Sequence, residues 1–89
     1  MISGIYKISF GKKGSYIGST GNLKQREKLH LYALKNDKHH NKILQFMFDQ
    51  YPKKFKFEIL EYVPNKQLLI KEQEYIDKFN PELNLSPFA

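Results

Sequence analysis

Residues 4–18 read Gly4-Ile5-Tyr6-Lys7-Ile8-Ser9-Phe10-Gly11-Lys12-Lys13-Gly14-Ser15-Tyr16-Ile17-Gly18. Two β-prone runs flank a Gly-Lys-Lys-Gly turn, so the stretch reads as a hairpin. Ile2, Tyr6, Ile8 and Phe10 share one parity, as the buried face of a strand over residues 2–10 does. With the turn centred on Lys12, Phe10 faces Gly14 and Tyr6 faces Gly18. That register places Tyr6 and Tyr16 on one face of the sheet, and a one-residue slip separates them. Gly4 and Gly18 sit inside strands, where glycine weakens pairing unless a bulge or a close approach needs it. The plainer alternative is a glycine-relaxed hairpin with core tyrosines.

Working outward, Gly21-Asn22 offers an N-cap, and Leu23 to about Asn36 has helical spacing. Leu23, His30 and Leu34 form one stripe of that helix, with Arg26 and Ala33 on its border. Asn36-Asp37-Lys38-His39-His40 is a polar break. Asn41 to about Gln50 is a shorter helix ended by Pro52. Phe55, Phe57 and Ile59 alternate with Lys56 and Glu58, a third strand through about Val63. Lys66 to about Phe79 is a third helix, closed by Asn80-Pro81. The expected fold class is α+β: a small three-stranded antiparallel sheet flanked by about three helices, in the order ββααβα. Residues 1–89 are expected to form a single domain.

The 89 residues hold 15 Lys and Arg against 9 Asp and Glu, a formal net charge of +6. With 40% hydrophobic and 15% aromatic residues, the chain is too apolar for a disordered basic tail. It has no cysteine, which excludes a disulfide scaffold or a thiolate zinc finger and fits a reducing compartment. The longest aliphatic run is Leu68-Leu69-Ile70, far short of a membrane span, and no signal-peptide pattern precedes the first strand. The expectation is a soluble intracellular domain (cytoplasmic, organellar or phage-encoded) with no membrane and a polyanionic partner. Basic proteins without such a partner are also common.

Three features are awkward as packing. Arg26 and His30 lie one helical turn apart on or beside the apolar stripe. Glu72 falls between Phe79 and Ile76 on the apolar face of the third helix, whereas Glu74 falls on the far side. A buried carboxylate there costs several kcal/mol unless it is paired or binds a metal. Arg26 is a candidate partner for it. The two in-strand glycines, each two residues from a tyrosine, are the third feature.

Gly4-Ile5-Tyr6 and Tyr16-Ile17-Gly18 match the two name-giving tripeptides of the GIY-YIG nucleases, which this sequence resembles over almost its whole length. The likeness is to the catalytic domains of homing endonucleases. Arg26 and His30 stand where that family has an Arg and a His in its first helix. His39, five residues before Leu44-Gln45, matches a further His, with His40 as a competing choice. Glu72, three residues before Tyr75-Ile76, matches the family's metal-binding Glu, and Asn84 lies in a closing Pro81-Glu82-Leu83-Asn84. The chain stops soon after Asn84, whereas homing-type members continue into further DNA-binding modules. It is therefore expected to be either an excised catalytic domain or a minimal enzyme, with a further DNA-binding domain or partner left open.

The resemblance implies a DNA endonuclease hydrolysing phosphodiester bonds with one divalent ion, Mg²⁺ or Mn²⁺, on Glu72. In that scheme Arg26 neutralises charge on the phosphoryl oxygens. Tyr6 is the base, made more acidic by nearby positive charge, with His30 as its assistant or rival. Tyr16 orients the water or phosphate, His39 contacts the phosphate, and Asn84 holds backbone or substrate near the metal. Lys12, Lys13, Lys24 and Lys28 are expected to form a DNA-binding patch near the hairpin loop and first helix. Two rival readings stand beside it: a non-catalytic nucleic-acid-binding module with the same fold, and a metal carrier using His30, His39 and His40. The latter lacks the spacing of a closed zinc site. Target, oligomeric state and nicking against double-strand cutting stay open.

Overall fold

A computed structural model describes residues 1–86. Strands β1 (Gly4–Phe10), β2 (Ser15–Thr20) and β3 (Phe55–Tyr62) form one antiparallel sheet in the order β2-β1-β3. Helices α1 (Leu23–Lys35) and α2 (Lys42–Gln50) follow the hairpin, and α3 (Leu68–Phe79) follows β3. The order ββααβα is the one the sequence pattern predicts. Short 3₁₀ turns at Pro52–Lys54 and Asn65–Gln67 lead into β3 and α3, so the third helix starts two residues later than its pattern suggests. The first strand also begins at Gly4 rather than Ile2. Ile2 is mostly exposed, and its carbonyl accepts a hydrogen bond from the Leu23 N–H at 2.9 Å, turning the chain toward α1.

The sheet is covered on both faces. Tyr6, Ile8 and Phe10 pack with Leu23 and Leu34 of α1, Leu44 of α2, and Leu83. Ile5 and Ile17 pack on the opposite face with Val63 and Ile76 of α3. Ile5, Ile8 and Ile17 are fully buried, each contributing about 1.5–3 kcal/mol by leaving water. A β-bulge in β3 serves both layers. Ile5 pairs with Glu61 but Tyr6 with Ile59, leaving Leu60 as the extra residue. The bulge flips the side-chain parity of β3. Phe57 therefore joins the α1 side and Val63, also odd-numbered, joins the α3 side.

Polar side chains close the helix ends. Asn22 Oδ1 accepts from the Gln25 N–H at the start of α1. Asn41 Oδ1 accepts from the Ile43 and Leu44 N–H groups at the start of α2. Asn80 ends α3 in the left-handed conformation, φ 47°. The far edge of β2 is blocked by the segment after α3. Leu83 N–H donates to the Ser15 carbonyl at 2.9 Å, and the Asn84 amide pairs with both backbone groups of Ile17. None of the described helices is long and apolar enough to cross a membrane.

The hairpin register is the one that unites the tyrosines: Tyr6 opposes Gly18 and Ile8 opposes Tyr16. Both in-strand glycines are sites of close approach. A Cβ at Gly18 would collide with the Tyr6 ring and hydroxyl, and one at Gly4 with the Glu61 carbonyl. Gly18→Ala therefore has to move a buried aromatic ring. It is expected to cost about 1–3 kcal/mol, the range for overpacking, read as a lower denaturation midpoint with an unchanged m-value.

Candidate active site

Tyr6 and Tyr16 stand on the α1 side of the hairpin, with ring centroids 6.3 Å apart. Tyr6 is buried, stacked on Phe57 at 4.8 Å, and its hydroxyl lies 2.8 Å from His30 Nε2. His30 projects from the buried stripe of α1, as the helical spacing predicts. Its Nδ1 lies 2.8 Å from His39 Nε2, and the Asn41 N–H donates to His39 Nδ1 at 3.0 Å. The break between α1 and α2 is thus an ordered polar spine. Gln45 braces it, accepting from the His39 N–H and donating to the Leu34 carbonyl and Asp49. His40 stacks on His39 at 4.8 Å and reaches solvent.

Glu72 arrives from the opposite layer. It projects from α3 at the β2 side of the sheet, half-buried, and accepts a hydrogen bond from Ser19 Oγ. Tyr16, His40, Asn41, Glu72 and Asn84 line one cleft of about 160 Å³. A second depression, of about 380 Å³, is lined by Arg26, Leu29, His30, Tyr32, Lys38 and His40. His40 is the ridge between the two. The site therefore wraps around β2, with phenols and imidazoles from one face and the carboxylate from the other.

This placement revises several sequence expectations. Arg26 does not pair with Glu72: it is exposed, on the α1 layer, while Glu72 belongs to the α3 layer. The ion pairs among the described residues are Lys7–Glu58 and Lys71–Glu74. The apolar face of α3 is also narrower than its wheel suggests, with Leu69 66% and Phe79 43% exposed. His39 is buried and both its ring nitrogens are occupied by protein partners, which leaves none for a phosphate. Asn84 holds backbone, spending its amide on Ile17. The four lysines do not form one patch. Lys12 and Lys13 sit at the turn end of β1, Lys24 beside Ile2 at the other end, about 20 Å away at about 3.3 Å per strand residue. Lys13 lies over the Tyr51 ring and Lys28 is exposed on α1. Sequence reading also missed Ser19, Asn41 and Lys38. The Lys38-His39-His40 run was the signal for the last.

Burial pushes the Tyr6 hydroxyl well above the usual phenol range, and neighbouring Tyr16 and Glu72 add to it. Arg26 acts the other way. Burial likewise raises Tyr16. Tyr6 is therefore a neutral phenol in the free protein, not the acidified one expected from nearby positive charge. His30 is lowered to about 4 by burial first, then by His39, Arg26 and His40. Burial and His40 lower His39 as well. Both imidazoles are neutral at pH 7.

A carboxylate that faces a cleft and accepts one hydroxyl donor, with no cationic partner among the described residues, fits a hard divalent ion that keeps most of its waters. No group of three His, Cys, Asp or Glu gathers as a metal cage among the described residues.

The fold and this constellation define the class. The chain belongs to the GIY-YIG catalytic domain family, whose model matches residues 2–84, and it is an endonuclease domain of that family. Two solved structures are similar. One is the catalytic domain of the intron endonuclease I-TevI in a Glu-to-Ala mutant form, with TM-score 0.83 and 26% identity over 100% of both chains. The other is the catalytic domain of the homing endonuclease I-TevI, with TM-score 0.83 and 28% identity over 92% of each. No curated protein matches the sequence.

His30 sets a stability prediction. Its pKa falls from 6.5 in the unfolded chain to about 4 in the folded one, so between those values the unfolded state binds the extra proton. Stability is complete above pH 6.5 and falls as pH drops toward 4, by up to about 3 kcal/mol from this group. Urea titrations across that window check it, and His30→Gln is expected to flatten the dependence.

Proposed function

We propose that this domain hydrolyses phosphodiester bonds of DNA with one divalent cation, Mg²⁺ or Mn²⁺, on Glu72. It is proposed to work as a single unit inside the cell. The observation that carries the reading is the contact of Tyr6 with Tyr16 and His30 beside two adjoining depressions, one lined by Tyr16 and Glu72 and the other by Arg26 and His30. Arg26 acts on both phenols and on His30, and Glu72 on both phenols.

Glu72 would hold the cation, whose chemistry there would be Lewis-acid polarisation of the phosphate and charge stabilisation at the departing oxygen. Ser19 Oγ orients the Glu72 carboxylate that holds it. Arg26, exposed in the depression next to the Glu72 cleft, offers a planar fork to the phosphoryl oxygens as negative charge grows there. Tyr16 lines the Glu72 cleft and orients the attacking water. The Tyr6 oxygen, flanked by His30 and Tyr16, would take the water's proton as its phenolate, its own proton having first passed to solvent, and Arg26 favours that anionic form. Asn84 fixes the β2 backbone that carries Tyr16 and Ser19. His39 acts behind His30 rather than on the phosphate. Arg26, Lys38 and His40 line the depression beside the Glu72 cleft and supply the nearest basic contacts for flanking phosphates, with Lys12, Lys13, Lys24 and Lys28 reaching more distant stretches of duplex.

Supercoiled plasmid incubated with and without Mg²⁺ tests the reading. The wild-type chain is expected to give nicked or linear product only with the metal. Glu72→Ala is expected to keep DNA affinity and lose cleavage by on the order of 10³-fold, the several kcal/mol a metal supplies. Metal-independent binding with no cutting in the wild type supports the non-catalytic module instead.

Lys38→Ala is expected to weaken binding uniformly across sequences. Plotted as log K against log salt, the slope should become shallower by about 1, as loss of one phosphate contact predicts. Fluorescence anisotropy over a salt series reads it.

A further inference from the structure

The geometry points to His39, held by the Asn41 backbone N–H, as a positioning residue that sets His30 as a hydrogen-bond donor to the Tyr6 oxygen. This concerns the proton arrangement of the site. It rests on the proposed function only for its effect on cleavage.

One group in the relay cannot change its role. A backbone N–H only donates. The Asn41 N–H points at His39 Nδ1 at 3.0 Å, so that nitrogen is an acceptor and carries no proton. Asn41 itself cannot shift to avoid this. It is buried, its Oδ1 caps α2, its Nδ2 donates to the Leu83 carbonyl at 3.0 Å, and its carbonyl accepts from the Gln45 N–H. A neutral His39 must then carry its proton on Nε2. That nitrogen lies 2.8 Å from His30 Nδ1, which becomes the acceptor. A neutral His30 therefore carries its proton on Nε2 and donates it to the Tyr6 oxygen at 2.8 Å. Each step leaves one choice, because each contact holds a single proton.

The consequence falls on the two rival bases. With Nε2 protonated and Nδ1 occupied, His30 has no lone pair facing Tyr6 or the cleft, so it does not take up the proton. Its N–H favours a negative Tyr6 oxygen instead. Reversing the relay would turn His39 Nδ1–H against the Asn41 N–H, two buried donors facing each other. His39 touches neither cleft carboxylate nor phenol, so its influence passes through His30.

Long-range ¹H–¹⁵N correlation spectra of the whole protein at pH 7, with ¹⁵N-labelled histidine, read the ring nitrogens directly. His30 and His39 are each expected to show a protonated Nε2 and an unprotonated Nδ1. A protonated Nδ1 on either ring overturns the assignment, whether or not the protein cuts DNA. Two variants separate positioning from packing. The Gln side-chain amide nitrogen reaches the place of the ring Nε2, so His39→Gln should keep His30 in its Nε2–H form. It should also cleave within about threefold of wild type, well inside the 10- to 100-fold loss typical when an orienting partner is removed. His39→Leu fills the space without a donor. It should release His30 into mixed tautomers and lower the cleavage rate by about 10- to 100-fold at unchanged KM. A His39→Leu protein with His30 still wholly Nε2–H, or with a wild-type rate, also overturns it. If the wild type cuts no DNA, the nuclease reading fails and the spectra of wild type and variants still decide this one.

Discussion

The Tyr6 ring lies across Gly18, and the rest of the site is arranged around that contact. A side chain at position 18 would occupy the space of the ring and its hydroxyl. With glycine there, the phenol can cross from β1 over β2 and reach His30 on one side and Tyr16 on the other. Phe57 stacks on the ring from β3, and the bulge at Leu60 is what keeps Phe57 on this face while the end of β3 serves the other. A motif glycine, a ring and a bulge are thus one packing solution. Its product is a hydroxyl held in a buried position rather than waving in solvent.

Burial of that hydroxyl has an electrostatic cost, and the surroundings answer it with donors. Desolvation makes the phenol a weaker acid, and so does the Glu72 carboxylate. Against this stand the Arg26 guanidinium and the His30 N–H directed by Asn41. In the metal-free protein the first pair prevails and Tyr6 is neutral. Under the proposed function, a cation on Glu72 would offset that carboxylate's effect and so link the metal to the phenol across two layers of the sheet. The same low dielectric that raises Tyr6 keeps His30 and His39 uncharged. That neutrality gives each ring a defined tautomer.

The site sits at a sheet edge for a geometrical reason. Neighbouring residues of a strand point to opposite faces, so Gly18 and Ser19 serve different layers. Ser19 meets Glu72 of α3, while Tyr16 faces α1. Around β2, an edge strand, groups from both layers can share one cleft. Edge strands invite pairing with other chains. Here Leu83 and Asn84 occupy the β2 edge, with the Asn84 amide standing in for a peptide group. The closing Asn therefore protects the edge and steadies the strand that carries Tyr16 and Ser19.

Local patterns in the sequence were enough for the element order, the hairpin register, the Asn22 cap and the Leu23, His30, Leu34 stripe. Each depends on periodicities of two or 3.6 residues and on turn chemistry confined to a few neighbours. The two tripeptides, Arg26, His30, Glu72 and Asn84 were visible as residues, and the family was legible from them. Their relations were not. Nothing local says that Arg26 and Glu72 lie in different layers, that Lys12 and Lys24 stand at opposite ends of β1, or that Ser19 holds Glu72. Nor does it say that the His39 ring is enclosed while His40 lines both clefts, since adjacent residues in a loop have no fixed faces. Those facts come from helices packed on both faces of a bulged sheet, and from buried polar groups that must each find a partner at long range. Local sequence settles which chemical groups are present and which short segments carry them. Long-range packing settles which of them meet, and which way each hydrogen bond runs.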